Sequence, residues 1–346
     1  MYFASDNSSP AHPQVLKAVM DASAGYTGGY GAEAGMDRVT EKIRDIFEAR
    51  QAAVYLVGTG TAANALALAT MVEPWQTVFC HKVAHIEEDE CGAPEFFTGG
   101  AKLVLIDGKD GRMDRHAFGA KAAVTGHIGV HNVQRGALSI TNVTEVGTTY
   151  SLEDIQALTA IAKTQNMPVH LDGARFANAL VSMNCSPAEM TWKSGVDMVS
   201  FGGTKNGCMG VEAVVIFNPE HAWEFELRRK RGGHLWSKHR YLSAQMEGYL
   251  ADDLWLRLAR QANDAAAELE TGLSTKGVTL AHPRAANMMF AGLPLEGHAK
   301  AQAAGAMYYP WDTAYTSVRS DEHQTVRLVT SWSTTEENIA AFLDLI

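Results

Sequence analysis

The chain has 346 residues, 46% of them hydrophobic and 20% charged; 39 acidic against 29 basic side chains give a formal net charge of −10. An acidic, ordinarily apolar chain of this length buries a large core and argues against nucleic acid or an anionic membrane surface as a partner. The longest apolar stretch, around Ala65–Val72, is far too short to span a bilayer, and the opening MYFASDNSSP lacks the charged-then-apolar pattern of a secretory leader. Cys80, Cys91, Cys185 and Cys208 are widely spaced with no CxxC pair, which points to a reducing, cytoplasmic setting rather than a disulfide scaffold or a cysteine-rich zinc site.

Along the chain, short apolar runs alternate with helical stretches, the pattern of an α/β fold. Ala52–Val57 reads as a buried strand, followed by the glycine turn Gly58–Gly60 and a helix over Ala62–Met71. Thr77–Cys80, Leu103–Ile106 and Ala137–Ile140 are further strands. Ser151 and Asp154 form a capping box ahead of Leu152, Ile155, Leu158 and Ile161, spaced for an amphipathic helix. Met167–Leu171, Asp197–Phe201 and Val211–Phe217 are strands, and strand–helix–strand order predicts parallel pairing. Beyond about Gly233 the texture changes. Tyr241–Leu273 reads as long and helical, Val278–Leu280, Met288–Ala291 and Val326–Val329 as short strands, and Glu336–Leu345 as a closing helix. The expected division is a large domain over residues 1–240 and a smaller α+β domain over 241–346.

Four motifs carry chemistry. Gly58-x-Gly60-x-x-Ala63, between a strand and a helix, suits a phosphate, because glycines admit close backbone approach and helix-start amides favour an anion. A dinucleotide site also needs an acid ending the next strand, and His81-Lys82 stand there instead, so a monophosphate cradle is favoured over a nicotinamide site. His81, His85 and Asp89 recur every four residues; on one helix face they could bind zinc with Cys91 nearby, or form an exposed charged face. A further reading stacks a histidine on a flat cofactor with Asp89 orienting it. Asp172 and Arg175 end a strand, at the sheet edge where open α/β sheets place ligands. Arg175 could fork a carboxylate or simply pair with Asp172. Lys205, in Gly202-Gly203-Thr204-Lys205-Asn206-Gly207, sits at the same edge as a candidate amine nucleophile. Pyridoxal phosphate needs this set: a lysine for its aldehyde, a glycine loop for its phosphate, a carboxylate for its pyridine nitrogen and a flat side chain for one ring face.

These segments resemble the low-specificity threonine aldolases of the β-eliminating lyase family. The likeness runs through Ser5-Asp6-Asn7, Tyr30-Gly31, Gly60–Asn64, Ala84-His85, Asp89–Pro94, Thr144–Thr148, His170–Arg175, Phe201–Gly207 and Val326–Thr330. The resemblance implies the pyridoxal phosphate fold-type I (aspartate aminotransferase-like) architecture, with a mostly parallel sheet and a smaller C-terminal α+β domain. It implies retro-aldol cleavage of β-hydroxy-α-amino acids such as threonine, allo-threonine and phenylserine to glycine and an aldehyde.

By the same resemblance, Lys205 is the Schiff-base lysine, Asp172 the partner of the pyridine nitrogen, Gly60 and Thr61 phosphate binders, and His85 the stacked histidine. Ser5, Arg175 and Arg327 hold the amino-acid carboxylate and its surroundings, Asp89 lies at the substrate, and the basic run Arg228–Arg231 reaches across a subunit contact. The chain departs from one branch at Thr141–Glu145, which has no histidine; His131 resembles the histidine used by the branch carrying Asp89–Pro94. The base for the substrate hydroxyl is therefore His85, His131 or a water between them. A homotetramer of two close dimers is implied, with Tyr30, Trp311 and Tyr315 as candidate pocket neighbours. Two rivals stand beside this reading: an aminotransferase or β-eliminating lyase on the same fold, and a zinc hydrolase using His81, His85 and Asp89.

Overall fold

The computed structural model describes residues 1–311 and 323–346. After a short N-terminal arm come α1 (Pro13–Asp21), α2 (Ala34–Ile46), β1 (Ala53–Val57), α3 (Gly60–Met71) and β2 (Gln76–His81). There follow α4 (His85–Glu88), α5 (Ala93–Thr98), β3 (Lys102–Ile106), α6 (Arg115–Val124), β4 (Gln134–Thr141), α7 (Leu152–Thr164), β5 (Val169–Gly173), α8 (Phe176–Met183), α9 (Pro187–Met190), β6 (Met198–Gly202) and β7 (Glu212–Ile216). The rest is α10 (Ala222–Arg231), α11 (Arg240–Leu250), α12 (Leu254–Thr275), β8 (Met288–Pro294), α13 (Leu295–Ala303), β9 (Tyr309–Pro310), β10 (His323–Val329) and α14 (Glu336–Leu343).

A seven-stranded sheet runs in the order β1-β7-β6-β5-β4-β2-β3. Strands β2 to β6 pair in parallel, as expected from the intervening helices. β7 departs from that expectation and runs antiparallel to both β6 and β1. The physical reason is the connection: Gly203–Val211 holds only a turn of helix, too little for a crossover, so the chain doubles back.

α3 spans from β1, at one end of this order, to β2 near the other. It crosses a face of the sheet, and every residue from Ala62 to Thr70 is buried. Its alanines permit this, since small side chains let a helix lie close on all sides. Thr59 caps it, its Oγ1 accepting the Ala62 amide at 3.1 Å. The capping box at Ser151 and Asp154 is formed as expected.

The expected long helix over Tyr241–Leu273 is broken into α11 and α12 by Asp252 and Asp253, both with φ of 53°. The strand expected at Val278–Leu280 shrinks to a single bridge, Leu280 to Ala291. β8, β10 and β9 form a small antiparallel sheet. The hydrophobic cores part within α12. Leu242, Met246, Leu254 and Leu258 belong to the large core, whereas Leu269 and Leu273 join Phe3, Val326 and Phe342 in the small one. The N-terminal arm thus docks on the C-terminal unit: Val329 N–H donates to the Phe3 carbonyl at 2.8 Å, and Phe3 is fully buried, worth about 2 kcal/mol of apolar burial. Among the described residues no helix is long and apolar enough to cross a membrane.

Candidate cofactor and substrate site

The carboxyl ends of the parallel strands converge on a cavity of about 470 Å³. Gly60 and Thr61 line one side of it, where α3 begins; the first amides of a helix have no partner within it and attract an anion. A Cβ added at Gly60 would meet nothing within 4 Å, so the backbone there is open to close approach. Asp172, at the end of β5, lines another side. Its Oδ1 accepts the Ala174 amide and its Oδ2 accepts Asn64 Nδ2, both at 3.0 Å. That leaves lone pairs for a ring N–H. Lys205 follows β6 on a one-turn helix and lines the same cavity, half-buried. Beneath its loop lies Glu212, a buried carboxyl that accepts the Gly203 amide at 2.7 Å; burial pushes it up, against the lowering field of Lys205.

His85 opens α4 at the rim. Its Nδ1 lies 2.9 Å from Glu90 Oε1, and that carboxylate is wholly buried. Burial alone would depress the imidazole; the hydrogen bond to Glu90 and the fields of Glu145, Asp172 and Glu90 outweigh it and push His85 up to about 9. Burial raises Glu90 as well. The pair therefore holds its proton more tightly than either free group would.

The zinc reading fails on geometry. His81 ends β2, buried, its ring bonded to the Val83 amide and the Gly108 carbonyl, while α4 is one turn long. Asp89 is exposed and does not share a helix face with His81. The carboxylate that orients His85 is Glu90, one residue on. Among the described residues no three His, Cys, Asp or Glu side chains come together as a metal site.

The side carrying Arg175 and Arg327 is built from distant segments. Arg175 is buried and forked on Asp6, Nε to Oδ2 at 2.7 Å and Nη2 to Oδ1 at 2.9 Å, so its partner is Asp6 rather than Asp172. Asn287 also donates to Asp6 at 3.0 Å. Ser5 caps the turn that carries Asp6, its Oγ accepting the Asn7 amide. Arg327, on β10, reaches the Ala4 carbonyl at 3.1 Å and lies 5.2 and 5.4 Å from the ring centres of Tyr309 and Trp311. Its Nε is buried without a partner, and burial together with the Arg175 charge pushes its pKa down. An unsatisfied guanidinium beside another cation suits an incoming carboxylate.

Two expected neighbours lie elsewhere. His131 is exposed, three residues before β4 begins; Asp172 pairs with Thr141 at the opposite end of that strand, roughly 25 Å away along it. Tyr30 is exposed with φ of 59° and carries Lys230 over its ring at 4.6 Å. Tyr315 lies outside the described residues. In the basic run, Arg229 turns inward over Tyr55, while Arg228 stays on the surface with Glu224. Asn64, Glu90 and Asp6 go unassigned by spacing alone; their one sequence signal is that each sits inside a segment shared with the family.

A model of the beta-eliminating lyases matches residues 2–294. The chain belongs to that family. It is 38% identical over 330 residues to the low specificity L-threonine aldolase of Pseudomonas aeruginosa, covering 92% of this chain and 94% of that protein. The low specificity L-threonine aldolase of a Pseudomonas species is 39% identical over 289 residues, 83% of each chain. Among solved structures, Leishmania major threonine aldolase superposes with a TM-score of 0.92 at 29% identity over 99% of this chain and 98% of that one. Sphingomonas wittichii serine palmitoyltransferase shares the fold at a TM-score of 0.72 and 15% identity, over 100% of this chain and 86% of that one. The expected fold-type I architecture is thereby confirmed.

Proposed function

We propose that this protein is a carbon–carbon lyase that uses pyridoxal 5′-phosphate to cleave β-hydroxy-α-amino acids (threonine, allo-threonine, phenylserine) to glycine and an aldehyde. The observation that carries this is the convergence of an amine, a carboxylate and an anion-binding helix start, Lys205, Asp172 and Gly60-Thr61, on one cavity. The threonine aldolase relatives match over nearly the whole chain. When bound, the cofactor supplies an electron sink for the bond broken at the amino acid's α-carbon.

The chain's residues do the rest. The Gly60 and Thr61 amides hold the phosphate, Asp172 keeps a proton on the pyridine nitrogen, and Lys205 offers the nucleophilic amine. His85 presents its flat ring at the cavity rim. Arg175 spends Nε and Nη2 on Asp6, leaving Nη1 as the edge that meets the substrate carboxylate, with Arg327 as its second cation. Ser5 adjoins this clamp, and Asp89, exposed next to the His85–Glu90 pair, is the further substrate-binding candidate. A base takes the β-hydroxyl proton: His131, a water between the two histidines, or His85 through its Nε2 after that ring has released its own proton.

His131 enters such a site only from a neighbouring subunit. The same loop exposes Ile128, Val130 and Val133 at 63%, 96% and 37%, an apolar tip that a second copy of the chain would cover. This supports a homotetramer, and the four free cysteines support a cytoplasmic setting. Incubating the protein with pyridoxal phosphate and each amino acid tests the reading. Glycine plus acetaldehyde or benzaldehyde is the expected outcome; a keto acid with pyridoxamine phosphate, or ammonia release, would replace it with a transaminase or an eliminating lyase.

A further inference from the structure

Within the cofactor wall, one side chain bonds to two others that have separate tasks. Asn64 lies on α3, one turn after the phosphate cradle, and is buried. Its Nδ2 donates to Asp172 Oδ2 at 3.0 Å and to Glu90 Oε1 at 2.9 Å. The same Glu90 oxygen meets His85 Nδ1 at 2.9 Å. An amide is the side chain that can sit between two buried carboxylates here: a carboxylate would add repulsion, and an apolar group would leave both acids short of a donor. The asparagine's Oδ1 and the glutamate's Oε2 are buried without partners, so the bonds at Asn64 Nδ2 and Glu90 Oε1 are the hydrogen bonds that hold these two side chains.

We propose that Asn64 and Glu90 are positioning residues forming one hydrogen-bonded chain, Asp172–Asn64–Glu90–His85, which sets the orientation and proton content of the imidazole from the carboxylate that serves the cofactor's ring nitrogen. This rests on the functional reading above and deepens it. With Nδ1 committed to Glu90, the imidazole's Nε2 is the nitrogen left to face the cavity. The charged groups facing His85 are Glu90 from beyond α4, Glu145 from the loop after β4, and Asp172 from β5. Removing the Glu90 charge therefore lowers the imidazole's affinity for its proton. Removing Asn64 leaves Glu90 Oε1 with His85 as its sole donor and raises it.

The test is a proton NMR titration of the His85 ring in the full-length chain stripped of cofactor, with cofactor affinity measured separately by absorbance. The wild-type midpoint is expected at about 9. Glu90→Gln is expected to lower it by roughly two units, and Asn64→Ala to raise it by roughly half a unit although Asn64 does not touch the ring. Asn64→Ala should also weaken pyridoxal phosphate binding roughly tenfold, through the loosened Asp172. A merely structural role would leave the midpoint alone, so a wild-type midpoint in Asn64→Ala overturns the chain, and a wild-type midpoint in Glu90→Gln overturns its last link. If Glu90→Gln does not accumulate folded, the Asn64→Ala titration decides by itself. Failure of the wild type to cleave any amino acid would remove the proposed function and leave these titrations readable.

Discussion

The wall carrying Asp172, Asn64, Glu90 and His85 belongs to the continuous core of the large sheet, with α3 running across it. The wall carrying Ser5, Asp6, Arg175 and Arg327 joins an N-terminal arm, a strand end and a strand of the C-terminal unit. Along the first wall neighbouring groups are hydrogen-bonded to one another within 3.0 Å. On the second, Arg327 keeps a buried, unpartnered Nε. The difference is one of charge: the atoms the first wall leaves unpartnered are acceptors, Asn64 Oδ1 and Glu90 Oε2, whereas the second leaves a cationic donor that a carboxylate would satisfy.

Substitutions should therefore separate cofactor effects from substrate effects. Lys205→Ala is expected to abolish turnover, at least about 10⁴-fold, and to remove the visible absorbance of bound cofactor; survival of both would remove Lys205 from its role. Asp172→Ala should cut the rate roughly 10³-fold and weaken cofactor binding, measured by titrating pyridoxal phosphate into the stripped protein. His131→Ala should slow cleavage roughly 10²-fold with the cofactor still bound. Subunits mixed from His131→Ala and Lys205→Ala chains should regain activity if the histidine serves a neighbour's site. Arg327→Ala should raise KM and lower kcat/KM roughly 10- to 100-fold while cofactor affinity stays put; a loss of cofactor instead would erase the distinction between the two walls.

Asp172 and His85 of the first wall, with the glycine turn and Lys205 beside it, were legible in the sequence because they lie where local patterns end; Asn64 and Glu90 were not. The glycine turn follows an apolar run, Asp172 ends a strand and Lys205 follows another. What misled was a period. His81, His85 and Asp89 are spaced as one helix face, but His81 completes β2 and the helix after it has a single turn. The true partner, Glu90, lies off that period. The second wall was legible in Ser5, Arg175 and Arg327 but not in Asp6. Asp6 and Arg175 are 169 residues apart, and no local pattern joins them. The antiparallel β7 was hidden for a related reason: strand propensity says nothing of direction, which the length of the connection sets.

The arm has a practical consequence. Phe3 is anchored among Leu269, Val326 and Phe342, and three residues later Asp6 grips Arg175 on the other unit. A few residues thus act as a cotter pin through both halves of the molecule. Trimming them, or loading them with a bulky fusion, would loosen the C-terminal unit and the Asp6–Arg175 pair in one stroke, so an affinity handle belongs away from this end.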